Sequence, residues 1–199
     1  MNKVLTYITI SSSICLFACN EQQKESARDF VDSVETKTER AFESADEGFD
    51  HIITVNLESK SNSNASGQAV FKEKNGKVHL EVEMTGLQPN QEHAIHLHEN
   101  GDCSSDDGSS AGGHWNPTNH DHGKWNDNDG FHKGDIGNLK ANDRGEATLT
   151  FKTDEWCISC DDVTKNIMNK SVIVHEKKDD FKTQPTGDAG GRIACGVIE

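Results

Sequence analysis

Val78-His79-Leu80-Glu81-Val82-Glu83-Met84 alternates apolar and polar side chains without a break. Period two marks a strand with one face in a core and one in water, because successive Cβ atoms point to opposite faces. The same alternation holds at Ile53, Val55 and Leu57 and again at Ala147, Leu149 and Phe151. Asn75-Gly76, between two such runs, predicts a tight hairpin turn, and Asn142 to Gly145 reads as another turn. The pattern predicts an all-β fold, an antiparallel β-sandwich or barrel. Composition agrees: 17 glycines, 6% aromatic and 27% charged residues suit a loop-rich β protein better than a helical bundle.

Gly101 to Lys133 breaks the pattern. It is rich in Gly, Asp, Ser, Asn and His and has hardly a hydrophobic run. A loop that long inside a compact domain is usually functional or disordered. This one carries four histidines, three of them candidate ligands, and bound metal can supply the order that an apolar core does not.

Ten histidines are present, and six stand in short motifs. Neutral imidazole is the commonest protein ligand for copper and zinc. His96 and His98 flank Leu97 on a strand whose core-facing residues are Ile95 and Leu97, which puts both rings side by side on the outer surface. His175 ends the β-rich run Ser171 to Val174 and can bring a third ring alongside. His114, His122, His132 and Asp135 offer three nitrogens and one oxygen, a set that suits closed, tetrahedral zinc. The plainer readings are incidental surface histidines and, for Asp135, a turn or cap. His120 competes with His122; it and His51, His79 and His93 fit no ligand pattern and read as surface residues.

The formal charge of −14 argues against nucleic acid and against charge-driven binding to anionic lipid. At the start, Lys3, the apolar run Val4 to Ala18 and Leu16-Phe17-Ala18-Cys19 resemble a bacterial lipoprotein signal. The run falls short of the roughly 20 apolar residues that a membrane span needs, and an ordinary cleaved signal is the main rival. The expected organisation is a signal peptide over 1–18 with lipid on Cys19, a polar tether over 19–50 and one domain over 51–199. The expected location is the periplasm or cell envelope of a bacterium, with membrane contact through the lipid anchor only.

Of six cysteines, Cys15 lies in the signal and Cys19 is the acylation site, leaving Cys103, Cys157, Cys160 and Cys195. An even number in an exported chain suggests disulfides, in any of three pairings. Cys157-x-x-Cys160 can be a local bridge, a redox pair or half of a metal site. With no second C-x-x-C, the local bridge is the preferred reading, leaving Cys103 to Cys195.

Together, H-L-H-E, G-D-C, G-G-H-W-N-P, H-G, F-H-K-G-D-I-G-N, V-H-E-K-K-D-D and T-G-D-A-G-G-R-I-A-C-G-V-I resemble the copper/zinc superoxide dismutases of exported bacterial type, from about Ile52 to Glu199. The resemblance implies a Greek-key sandwich or flattened barrel of about eight strands with long metal-binding loops. It implies one copper at His96, His98, His114 and His175, and one zinc at His114, His122, His132 and Asp135, His122 being preferred over His120 by its spacing from His114. It pairs Cys103 with Cys195, makes Asp179 the carboxylate tying a copper histidine to a zinc histidine, and gives Arg192 the docking of superoxide. The implied reaction takes superoxide to dioxygen and hydrogen peroxide, with His114 handing a proton to the departing peroxide. Family members occur as monomers and as homodimers.

Departures from the family pattern remain. Phe181 to Pro185 is short where eukaryotic relatives carry a longer charged loop, so Lys124, Lys133 and Lys182 are the candidates to steer the anion. Trp115 and Trp125 have no role beyond packing. The rival from another class is a copper-binding lipoprotein that buffers metal on the same scaffold, which the complete ligand set and Arg192 disfavour.

Overall fold

Alternation becomes strand wherever the sequence carries it. In the computed structural model, which describes residues 48–199, β1 spans His51–Ser59, β2 Ser66–Lys74, β3 Lys77–Thr85 and β4 Glu92–His98. Beyond the long loop come β5 (Asp135–Lys140), β6 (Ala147–Thr153), β7 (Ser171–His175) and β8 (Arg192–Val197). The signal peptide, Cys19 and nearly all of the tether lie outside the described residues.

Neighbouring strands are antiparallel throughout, in the order β5-β4-β7-β8-β1-β2-β3-β6. The terminal strands β5 and β6 approach each other without a hydrogen-bonded ladder, so the sheet rolls into a nearly closed barrel. The non-sequential neighbours β3–β6, β4–β7 and β8–β1 are the crossovers of a Greek key. Among the described residues the only helical element is a 3-10 turn at Ser109–Ala111.

Val55, Leu57, Ala69, Phe71, Val78, Leu80, Val82 and Met84 point inward on the expected alternation and are at most 2% exposed. Burying a side chain of the Val, Leu or Phe class contributes about 1.5–3 kcal/mol. Asn75 and Gly76 both take positive φ, 52° and 68°, as a two-residue hairpin turn between twisted strands requires.

Two features of β4 differ from the sequence reading. His93, read as a surface residue, is 2% exposed. It shares the parity of Ile95 and Leu97, points inward, and places Nδ1 2.9 Å from the His175 carbonyl oxygen. His96 and His98 do lie on the opposite face, but they are buried there. Their cover is the long loop: Leu97 N–H donates to Gly134 O (2.9 Å), Trp115 N–H to Leu97 O (2.8 Å) and Gly134 N–H to Trp115 O (3.0 Å).

That loop is anchored at several points. A Cys103–Cys195 disulfide ties its start to β8 across a sequence separation of 92. Closing a loop of that order stabilises by about 4–5 kcal/mol in the chain-entropy model. Trp156 is buried and donates its Nε1–H to Lys133 O (2.8 Å). Trp125 stacks edge-on against Phe151 and Trp156, with centroids 4.8 and 5.7 Å away. A second disulfide, Cys157–Cys160, closes a short loop between β6 and β7.

Candidate metal centre

His96, His98, His114 and His175 each offer a nitrogen, and these atoms lie within 4.8 Å of one another. His114, His122, His132 and Asp135 form a second group by the same measure. All seven residues are buried, and His114 alone belongs to both groups.

In the first group each ring has one nitrogen turned to an acceptor and the other turned inward. His96 Nε2 lies 2.9 Å from Asp179 Oδ2, His98 Nδ1 2.9 Å from Gly112 O, and His175 Nδ1 3.4 Å from Gly190 O. A carbonyl can only accept, so Nδ1 of His98 and of His175 carries the proton. Two lone pairs, His98 Nε2 and His175 Nε2, then face each other 3.4 Å apart. His96 Nδ1 and His114 Nε2 are buried without any hydrogen-bond partner. Buried acceptors left unmatched cost free energy, and a cation among them would satisfy all four.

In the second group Asp135 accepts from three sides. Its Oδ1 lies 2.9 Å from His114 Nδ1, and its Oδ2 takes N–H donors from His132 (2.8 Å) and Gly123 (3.2 Å). His122 Nδ1 is 3.0 Å from Asp135 Oδ2 without hydrogen-bond geometry, and His114 Nδ1 and His132 Nδ1 lie 3.4 Å apart. Three nitrogens and a carboxylate converge, as tetrahedral zinc requires.

Asp179 joins the groups. Its second oxygen lies 2.9 Å from His122 Nε2, so one buried carboxylate orients a ring of each group. Asn138 holds Asp179 in turn: its Oδ1 accepts from Asp179 N–H (2.7 Å) and its Nδ2 donates to Asp179 O (3.0 Å). Gln184 grips His122 similarly, accepting its N–H and donating to its carbonyl, both at 2.8 Å. The sequence reading missed Gln184 and also Gly187, where a Cβ would meet Asp179 Oδ1 at 2.0 Å and His122 Nε2 at 2.7 Å.

The electrostatics of the groups differ. Burial pushes His98 and His175 well below the ordinary histidine value, with neighbouring rings adding to the effect. Burial and the His96 ring bring His114 to about 4, against the opposing pull of Asp135. At His122 burial also opposes charge, but Asp135 and Asp179 outweigh it and raise the ring to about 9. For Asp135 and Asp179 burial is likewise outweighed, and hydrogen bonds from the histidines hold both well below the usual carboxylate range.

Arg192, at the start of β8, is half-buried beside the first group. Its Nη1 donates to Gly108 O and its Nη2 to Gly112 O, both at 2.6 Å, so Gly112 O also serves the arginine. Among the lysine candidates, Lys133 is buried and ion-paired with Glu155, so it is not free to attract an anion. Lys124 and Lys182 line a 460 Å³ cavity beside His122 together with Asp121, Asp127 and Asp180.

A family model described as copper/zinc superoxide dismutase matches residues 65–198. The chain is 37% identical over 159 residues to "Superoxide dismutase [Cu-Zn] 2" of Aquifex aeolicus, covering 74% of this chain and 85% of that one. It is 37% identical over 145 residues to "Extracellular superoxide dismutase [Cu-Zn]" of Drosophila melanogaster, covering 69% and 77%. Among solved structures, a SOD-like protein from Bacillus subtilis superimposes with a TM-score of 0.67 at 29% identity, covering 76% of this chain and all of that one. The clock protein EA4 does so with a TM-score of 0.64 at 35% identity, covering 74% and 92%.

Proposed function

The chain belongs to the copper/zinc superoxide dismutase family and is a superoxide dismutase that uses copper and zinc; from that premise we propose that its two metals share the His114 ring. Copper is assigned to His96, His98, His114 and His175, and zinc to His114, His122, His132 and Asp135. The supporting observation is that His114 alone belongs to both groups of converging donors. Copper when bound supplies the one-electron redox change that takes one superoxide to dioxygen and the next to hydrogen peroxide, while zinc, which has no redox chemistry, supplies charge and order.

The chain's own groups do the rest. Arg192 offers a fixed positive charge near the copper histidines and docks the small anion. His114 Nδ1 faces Asp135, which keeps the ring from turning, and Nε2 faces the copper side. Without metal, Nδ1–H donates to Asp135; with Nδ1 taken up by zinc, Nε2 would carry a proton on a neutral ring, in keeping with its reluctance to take a charge. That proton would pass to the departing peroxide, and solvent would supply the second proton that hydrogen peroxide needs. Asp179 fixes His96 and His122 relative to each other, and the folded loop keeps water off the rings.

Two disulfides and the likeness to an extracellular dismutase of Drosophila melanogaster are consistent with an exported protein. We extend this to a lipoprotein with its anchor on Cys19, which mass spectrometry of the mature chain would test. The site assignment is tested by His96→Ala in copper- and zinc-loaded protein. Superoxide consumption should fall at least about 100-fold, in line with loss of an essential metal ligand. Substantial activity remaining would overturn the copper assignment. Full occupancy by both metals without turnover in the unmutated protein would favour metal buffering instead.

A further inference from the structure

The two carbonyls that hold Arg192, on Gly108 and Gly112, bracket the 3-10 turn Ser109–Ala111. Gly108 packs so closely that a Cβ there would lie 3.3 Å from Arg192 Cβ, at a φ of 71°. The preceding residue is Asp107. Its exposed carboxylate folds onto the same turn, where Oδ1 accepts from Ser109 N–H at 2.9 Å. One residue therefore both shapes the turn that carries the arginine's acceptors and sets a negative charge one residue before the carbonyl that Nη1 holds.

The geometry points to Asp107 as a rate-setting residue that holds superoxide capture below the level Arg192 alone would give. This rests on the docking role proposed above for Arg192. Lys60, Asp102 and Asp106 also stand near the turn. Lys60 lies along Gly108 and donates its Nζ to Cys103 O at 2.5 Å, and Asp102 Oδ1 accepts from Ser104 N–H at 2.8 Å. Asp107 is also the carboxylate whose field favours the charged form of Arg192, against the burial that disfavours it. The same field repels an anion approaching that guanidinium.

Asparagine separates the two roles of Asp107. Its side-chain oxygen can accept from Ser109 N–H as the carboxylate does, while the charge is gone. A unit charge acting over roughly 10 Å through water changes a local ion concentration about twofold, and salt erases the effect. D107N in full-length, metal-loaded protein should therefore capture superoxide about twofold faster at low ionic strength and converge with the wild type at high salt. E83Q, with the same change in net charge on the solvent side of β3, should leave capture unchanged. A readout independent of turnover is the rate at which an anionic arylglyoxal modifies Arg192 relative to a neutral one, located by peptide mapping. D107N should raise that ratio.

The Asp107 role is overturned if D107N matches E83Q in both measurements, or if only D107A, which also removes the cap, has an effect. Arg192→Ala separates the premise from the inference. Capture that is unaffected by R192A overturns the docking reading itself. A fall with R192A, together with loss of the D107N gain in the double variant, supports both.

Discussion

The rings assigned above to copper and those assigned to zinc are held by different means. His96 and His98 ride on β4 and His175 on β7, strands in register with each other and locked by the barrel's core. His122 and His132 sit on a segment without regular secondary structure. Carboxylates follow the division only in part: Asp135 and Asp179 both touch His122, Asp179 also reaches His96, and His98 and His175 turn to backbone carbonyls instead. Strands place donors in advance by register, and neutral rings suffice there. A loop has no register, so charge and a few anchors must fix its shape.

The hardest test of this contrast removes an anchor of the loop half. Trp156→Ala deletes a fully buried ring and the donor to Lys133 O, and should cost about 3–5 kcal/mol. Hydrogen exchange should show protection lost first around residues 115–133 and last in β4, β7 and β8. Equal loss in both would refute the division. Asp179→Ala should weaken metal binding in each half about 10–100-fold, as loss of an outer hydrogen-bond partner typically does; competition with chromophoric chelators would measure it. Weakening confined to zinc would mean that strand register alone sets His96.

Gly187→Ala comes next. At a φ of 67° and with the close approach to Asp179 noted above, it should cost about 1–2 kcal/mol in backbone strain. The damage should appear as weaker zinc binding with thermal stability reduced only modestly.

The smallest signal is a proton. His122 has its charged form favoured up to about pH 9, so its contribution to metal-free stability is fully present below its ordinary value of 6.5 and is lost as pH rises through about 9. His114 runs the other way: lowered to about 4, it destabilises the fold as pH falls below 6.5, because the unfolded chain takes up the proton first. On the proposed assignment, zinc at pH 7 would displace a proton from His122, while copper would meet His98 and His175 already neutral. Calorimetry in buffers of different ionisation enthalpy should show buffer dependence for zinc and little for copper.

The sequence made the barrel legible because alternation and turn chemistry are local. Val78 to Met84 and Asn75-Gly76 need no distant partner to be read. Among the converging ligands, His96 with His98 and His132 with Asp135 stand at short spacings, but the place of His114 in both groups comes only from the family resemblance. What escaped is what depends on one segment covering another. His96 and His98 face outward by parity, yet the loop through Trp115 and Gly134 buries them. Lys133 reads as a surface charge until Glu155 and Trp156 close over it. His93 was decidable from its parity with Ile95 and Leu97, but its polarity argued the opposite. Gln184 and Asn138 act by reciprocal backbone bonds across long sequence separations, which no local pattern announces.

Arg192 is steadied by two uncharged oxygens, on Gly108 and Gly112. A carboxylate could have immobilised the guanidinium equally well, but would have neutralised it. Dipoles fix its place without cancelling its charge. Dissolved ions should dull the pull on an arriving anion without loosening the grip on the side chain, so the dependence of rate on ionic strength reports distant attraction separately from posture.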